Sequence, residues 1–316
     1  MTDKTEKRGV SLEGQAIKQK QNLFRRIWRE RVSWAMMAPY LFFYLMTTLI
    51  PAVVSICLSF TYFNMFTSPN FVGLDNYIRM FLEDDVFMIA LGNTLIFAIV
   101  TGPLSYILCF ILAWIINDLN PKIRAVVTLI FYAPSISSTV YVVWKFILSP
   151  DSYGLVNGFL MKLGFINQPI LWFSDPELAL GLLMIVQLWL SLGVGFLAFI
   201  AGLQNVDRSL YECGAIDGIR NRWQELWYIT FPQMKPMLLF GAVTQITAAF
   251  AVGPVSMELC GFPSVDYSAH TLLVHANDYG SVRYQMGYAA AVCVVLFILI
   301  LVTYNLAKLA LSRVGK

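Results

Sequence analysis

Charged side chains are scarce. Asp, Glu, Lys and Arg make up 13% of the 316 residues, about half the ~25% of an ordinary soluble domain. Hydrophobic residues make up 58%, so a water-soluble globule is excluded by its tendency to aggregate, and a disordered chain by its wealth of large apolar side chains. Histidine is rarer still: the sequence holds His270 and His275 and no others. Five cysteines, Cys57, Cys109, Cys213, Cys260 and Cys293, are scattered without the spacing of a metal site or a disulfide framework and read as packing residues. No glycine-rich loop ends in Gly-Lys-Ser/Thr, and the sole Gly-Lys pair is Gly315-Lys316, so the chain lacks the loop with which such proteins cradle ATP phosphates.

The charges that do exist avoid six intervals, residues 34–60, 86–117, 125–144, 178–206, 236–257 and 284–307. Each is at least 20 residues long, enough at 1.5 Å per residue to cross a hydrocarbon core of ~30 Å as a helix. The pattern predicts an all-α polytopic membrane protein with six transmembrane helices. Basic residues favour the cytoplasmic side, and placing both termini there puts 18 of the 22 Lys and Arg residues inside. Only Arg79, Lys145, Lys162 and Arg283 remain outside. The small net charge of +3 thus follows from topology and does not point to nucleic acid.

This organisation divides the chain into a cytoplasmic tail (1–33), a six-helix membrane domain (34–311) with a long cytoplasmic loop (207–235), and a short cytoplasmic end (312–316). The tail lacks the short apolar stretch and small-residue cleavage site of a signal peptide and is expected to persist. In it Leu23, Phe24 and Ile27 share a helical face while Arg25, Arg26, Arg29 and Arg31 crowd the rest, the pattern of a basic amphipathic helix on an anionic leaflet.

Three function classes fit six spans: a secondary transporter, a membrane-embedded enzyme, and a subunit driven by an ATPase partner. Ion-coupled carriers place ionisable groups inside spans, and membrane enzymes need acids, nucleophiles or histidines there. These runs hold neither charge nor histidine. No catalytic residue is therefore assigned. His270 and His275, near Asp266 and Asp278, read as exposed histidines of an outer loop; the alternative is a weak metal site, and no metal is assigned.

The loop 207–235 could receive an energy-supplying partner. Ser209 and Glu212 have capping-box spacing, so a helix is expected to start near Ser209. Gly218 is placed to end it in a left-handed turn, Asn221 with Gln224 to cap a second short helix, and Pro232 to stop that helix before the chain re-enters the membrane at Pro236. Small Cys213 and Gly214 permit close approach, and Glu212 offers a charge.

Glu212-Cys213-Gly214, then Asp217-Gly218, then Ile229-x-x-Pro232 and Pro236, resembles the EAA motif (Glu-Ala-Ala-x-x-x-Gly) of binding-protein-dependent ABC importer permeases. Cys213 and Gly214 replace the two alanines usual in the family. The stretch 71–77 (Phe-Val-Gly-Leu-Asp-Asn-Tyr), the stretch 148–157 (Leu-Ser-Pro-Asp-Ser-Tyr-Gly-Leu-Val-Asn), and Trp189 with 203–207 (Leu-Gln-Asn-Val-Asp) are similar to carbohydrate permeases of the maltose and glycerol-phosphate type. The likeness extends over about residues 35–311.

That resemblance implies a type I ABC importer permease fold in a bacterial plasma membrane. It also implies a second, non-identical permease subunit, two cytoplasmic ATP-binding subunits, and an extracytoplasmic solute-binding protein that delivers a carbohydrate. ATP and magnesium belong to the ATPase partners, so no cofactor is expected in this chain. ATPase coupling is assigned to Glu212, Cys213, Gly214, Asp217, Gly218 and Pro232. Mid-span polar and aromatic residues give a candidate substrate pathway: Tyr141, Gln187, Trp189, Ser191, Gln245 and Thr247. Such groups also join helices to each other. Breaks at Gly102-Pro103, Pro134 and Gly253-Pro254 could shape a cavity or gate. A permease for a non-sugar solute, or a membrane scaffold or receptor subunit, stays open as an alternative.

Overall fold

The structure, a computed structural model, describes residues 31–137 and 139–312. The expected interfacial helix of the tail, apart from Arg31, lies outside the described residues. In chain order the elements are α1 (Arg31–Leu58), a hairpin of β1 (Thr61–Tyr62) and β2 (Asn70–Phe71), α2 (Asp75–Leu82), α3 (Asp85–Asn117), α4 (Pro121–Ile136), α5 (Tyr141–Ile147) and α6 (Leu155–Lys162). Then come α7 (Pro176–Leu190), α8 (Val194–Gln204), α9 (Arg208–Ile216), α10 (Arg222–Cys260), α11 (Leu272–Asn277) and α12 (Met286–Ser312). The hairpin is antiparallel, with Thr61 opposite Phe71 and Tyr62 opposite Asn70.

Among the described residues four helices, α1, α3, α10 and α12, are long and apolar enough to cross a membrane. Two bent pairs, α4 with α5 and α7 with α8, raise the number to six if each pair is one span. Five of the six charge-free runs thus map onto α1, α3, α7–α8, α10 and α12, while the third is divided, its two pieces inclined at 90°. The helix carrying Pro134 ends two residues on, at Ile136, where Ser137 turns extended. A proline supplies no N–H to the helical ladder, so termination just beyond it agrees with the expected break. Gly102-Pro103, by contrast, breaks nothing: α3 runs through it without interruption.

The chain divides into two compact units, one ending at Ser55 and the other beginning at Ile56. The first unit is the main part of α1, with a widened π turn over Leu45–Leu49. The second holds the core. There α3, α8 and α10 pack on one another through Phe110, Phe196, Phe199 and Met234. A second cluster joins α3 and α10 to α11 and α12 through Phe87, Phe250, Leu272 and Tyr288, and a third seats α7 on α3 and α10 through Phe97, Leu183 and Val255. Between α8 and α10 the backbones approach closely because glycine stands at the contact. A Cβ at Gly241 would lie 2.2 Å from Phe199 Cζ, and one at Gly195 2.7 Å from Thr244 Oγ1. Small residues let membrane helices gain dispersion contacts where lipid offers no hydrophobic driving force.

Pro232 does not end a helix. α10 is continuous from Arg222 through a π turn at Leu226–Thr230 into Phe231–Phe250. The π turn of α1 likewise finishes two residues before a proline, Pro51. In both places the wider turn precedes a ring that would otherwise clash with the carbonyl four residues back. The expected break near Gly253-Pro254 is real but small: helical structure lapses only at Ala251 and Val252.

Candidate functional site

The loop between α8 and α10 is a short, doubly capped helix. Its N-cap is Asp207, whose carboxylate accepts from Ser209 N at 3.0 Å, so Ser209 lies inside α9 and the expected start is corrected by two residues. That hydrogen bond lowers the Asp207 pKa. At the other end Gly218 adopts φ +91°, the left-handed conformation in which a side chain is strained, and Ile219 N donates back to Gly214 O at 2.9 Å. Asn221 then caps α10 by accepting from Trp223 N at 3.0 Å, while Gln224 Oε1 accepts from Arg220 N at 3.1 Å.

These caps fix which side of α9 faces outward. Leu210, Tyr211 and Gly214 turn inward, and Tyr211 Oη lies 2.9 Å from Thr230 Oγ1 of α10. Gly214 is buried against Ile229: a Cβ there would come within 2.7 Å of Ile229 Cδ1. Glu212, Cys213, Asp217 and Gly218 are exposed. So is Ile216, at 87%, one helical turn from Glu212. Pro232 stands beyond the π turn in α10, apart from this outer face. Of the assigned coupling residues the structure brings Glu212, Cys213, Asp217 and Gly218 to one exposed end, and makes Gly214 the seat.

The mid-span candidates separate into two groups. α7 and α8 meet at 40° because the chain leaves the helix at Ser191–Gly193, which strips carbonyls of their usual donors. The Ser191 carbonyl accepts from Gly193 N at 2.7 Å and from Gln245 Nε2 at 3.0 Å, and lies 3.4 Å from Cys109 Sγ. In return Gln187 of α7 donates through Nε2 to Ala248 O at 3.2 Å, just before the lapse in α10. Two interrupted helices thus satisfy each other's backbone, as a bilayer interior requires. The second group is aromatic. Tyr141 and Trp189 are half-buried, and Trp189 meets Trp144 edge-to-face with centroids 5.6 Å apart. The Trp144 indole N–H is buried with no hydrogen-bond partner among the described residues. Thr247 is exposed, its hydroxyl donating to Val243 O.

The chain is similar along most of its length to known permeases. It is 33% identical over 291 residues to the probable ABC transporter permease protein YesP of Bacillus subtilis, an overlap of 87% of this chain and 89% of that protein. It is 31% identical to the arabinooligosaccharides transport system permease protein AraP of the same organism, over 90% of this chain and 91% of the relative. This chain belongs to the carbohydrate ABC importer permease family. The permease is also 35% identical to the lactose transport system permease protein LacF of Rhizobium radiobacter, over 67% of this chain and 70% of that one. Its fold matches a chain of a bacterial ABC transporter involved in alginate import, with a TM-score of 0.75, 24% identity and coverage of 94% of this chain and 100% of that one. No protein-family model matches it.

Far along the chain from its 207–221 loop, the permease holds a polar knot built on Asp84, His270, His275, Tyr279 and Tyr288. His270 and His275 are each 1% exposed, which overturns the reading of exposed loop histidines. Their rings meet at 3.2 Å, Nε2 to Nδ1, and His275 Nε2 lies 3.3 Å from Asp84 Oδ2. Asp84, the N-cap of α3, accepts from Phe87 N at 3.0 Å, from Tyr279 Oη at 2.9 Å and from Tyr288 Oη at 2.8 Å. Burial works to raise the Asp84 pKa, but the Phe87 N–H, the two hydroxyls and His275 outweigh it, and the net direction is down. Burial and the neighbouring His275 hold His270 down to about 4, and burial also lowers His275. Both imidazoles are therefore neutral near pH 7. Among the described residues no group of three or more His, Cys, Asp or Glu is placed to hold a metal ion. The uncharged run 269–277 (Ala-His-Thr-Leu-Leu-Val-His-Ala-Asn) was the available signal for this burial. Of the cysteines only Cys109 is fully buried; Cys57, Cys213 and Cys293 are exposed, so the packing role expected for all five is restricted.

Proposed function

We propose that this chain is the transmembrane permease subunit of an ATP-driven importer that translocates a sugar or oligosaccharide delivered by an extracytoplasmic solute-binding protein. The observation that supports this most is the 207–221 loop. A helix capped at both ends and seated on Ile229 presents Glu212, Cys213, Ile216 and Asp217 outward, so force applied to it is passed directly into α10. In this reading α9 docks on a cytoplasmic ATP-binding subunit. Two such subunits supply ATP hydrolysis and its magnesium, and a second, non-identical permease completes the pathway. The chain itself does no chemistry. It lies in a bacterial plasma membrane as six spans, with each bent pair counted once and both termini cytoplasmic, in agreement with the one-sided distribution of Lys and Arg.

Sugar contacts fall to Tyr141, Trp189 and Thr247, with Trp144 added for its unpartnered indole donor beside an aromatic face. Gln187, Ser191 and Gln245 hold the wall behind them. The relatives named for arabinooligosaccharides and lactose support the carbohydrate class. The test is reconstitution of the permease with its ATPase, second permease and binding protein. Glu212→Lys reverses the outward charge, and Gly218→Pro forbids φ +91°. Each is expected to insert normally yet separate ATP hydrolysis from sugar uptake.

A further inference from the structure

Behind α9, between it and the ends of α3, α4 and α8, lies a cavity of about 650 Å³ with a mostly polar lining. Three arginines reach it from three elements: Arg124 from the first turn of α4, Arg208 from the first residue of α9, and Arg222 from the first residue of α10. Their commitments differ. Arg222 is ion-paired with Asp118 and stands over the Trp114 ring at 5.5 Å. Among the described residues Arg124 donates through Nη1 alone, to the Asn117 carbonyl at 3.1 Å and its side-chain oxygen at 3.4 Å. Arg208 has no hydrogen-bond or ion-pair partner among the described residues. The acids of the lining are Asp118, paired with Arg222, and Glu225, whose charge also acts on Arg222. Positive charge is thus left over, on two guanidinium groups with free donors.

We propose that this cavity binds a phosphate-bearing anion, held by Arg124 and Arg208. A guanidinium presents paired N–H donors that match two phosphate oxygens, and the bonds are charge-assisted. The volume exceeds that of a bare phosphate and accommodates a phosphoglycerol headgroup or a small phosphorylated metabolite. Both sources supply the same chemistry: a lipid of the adjoining leaflet, or a free phosphate ester. Bound there, the anion ties the first residue of α9 to the first turn of α4, so it stiffens the loop from behind and leaves the exposed face bearing Glu212 and Ile216 free. Binding does not depend on the coupling role proposed for α9, and it is tested without the ATPase.

The purified full-length chain in an uncharged detergent is melted during titration with dioleoylphosphatidylglycerol, dioleoylphosphatidylcholine or inorganic phosphate. Saturable stabilisation by phosphatidylglycerol and not by phosphatidylcholine is expected if the source is lipid; an equal effect of inorganic phosphate assigns the free ester. In Arg124→Gln/Arg208→Gln the half-saturating concentration should rise by about tenfold or more, the usual worth of a hydrogen bond to a charged group. Arg220→Gln, on the same loop but outside the cavity, should behave as wild type. If the double variant fails to melt cooperatively, Arg208→Gln decides, since no partner is lost with it. Absence of stabilisation by any of the three probes overturns the proposal. So does stabilisation that survives in Arg208→Gln and the double variant, or that Arg220→Gln abolishes.

Discussion

Asp84→Ala is the most demanding test of the packing described above. One carboxylate serves as the cap of α3, through Phe87 N, and as the shared acceptor of Tyr279 and Tyr288, so a single truncation removes three hydrogen bonds. Loss of an N-cap costs about 1 kcal/mol. A hydrogen bond to an ionised acceptor contributes roughly 1.5–3 kcal/mol, and two part-buried hydroxyls lose theirs together. The expected sum is about 4–7 kcal/mol, which at roughly 2–4 °C per kcal/mol in a chain of this size lowers the melting temperature by on the order of 10 °C or more. Asp84→Asn keeps an oxygen for Phe87 N and the side-chain shape while losing the charge, so about 1–2 kcal/mol is expected. Tyr288→Phe should be mild alone and nearly silent in the Asp84→Ala background, because its acceptor is already gone. The assay is thermal unfolding of purified protein in detergent for the two singles, the conservative variant and the double. If Asp84→Ala melts within about 2 °C of wild type, or if Tyr288→Phe adds its full effect to it, the knot does not hold α3 to α11 and α12 and the reasoning fails.

Other consequences follow from the same geometry. Stability should fall as pH drops from the unfolded-state histidine pKa of 6.5 towards about 4, since unfolded chains take up a proton there that buried His270 refuses; melting between pH 4 and 7.5 should show this slope, and His270→Gln should flatten it. Gln245→Leu removes the side-chain donor to the Ser191 carbonyl and leaves it the Gly193 N–H, so it should cost about 0.5–1.5 kcal/mol of stability, with little change in the half-saturating sugar concentration of reconstituted uptake. Gly287→Ala places a Cβ 1.9 Å from the Thr61 carbonyl oxygen, and about 2–3 kcal/mol of overpacking should appear as a lower melting temperature and faster proteolysis between β1 and β2.

Apolar segments were read most faithfully, because exclusion of charge from a bilayer acts on every residue of a span. The uncharged interval 86–117 became α3, Asp85–Asn117, almost residue for residue. Local capping chemistry was nearly as readable: Gly218 turns left-handed and Asn221 caps as expected. Ser209 was misread because Asp207, two residues earlier, accepts from its N–H. Pro232 was misread because a stop and a π turn remove the same clash, and a sequence records only the proline. Least legible were contacts made across the chain. Nothing near Asp84 announces Tyr288, and nothing near Ser191 announces that Gln245 donates to its carbonyl. The loop's exposed Ile216 was also missed, since α9 holds both Leu210 and Ile216 and its sequence does not say which of them turns inward.

Force is proposed to enter this permease through α9. That route is tested most directly by measuring sugar uptake and ATP hydrolysis together in proteoliposomes holding the complete transporter, with wild-type permease, Glu212→Lys or Gly218→Pro. Both variants should insert and assemble to wild-type levels while uptake collapses and hydrolysis no longer responds to sugar-loaded binding protein. Normal uptake with normal sugar-stimulated hydrolysis in both variants would contradict entry through α9.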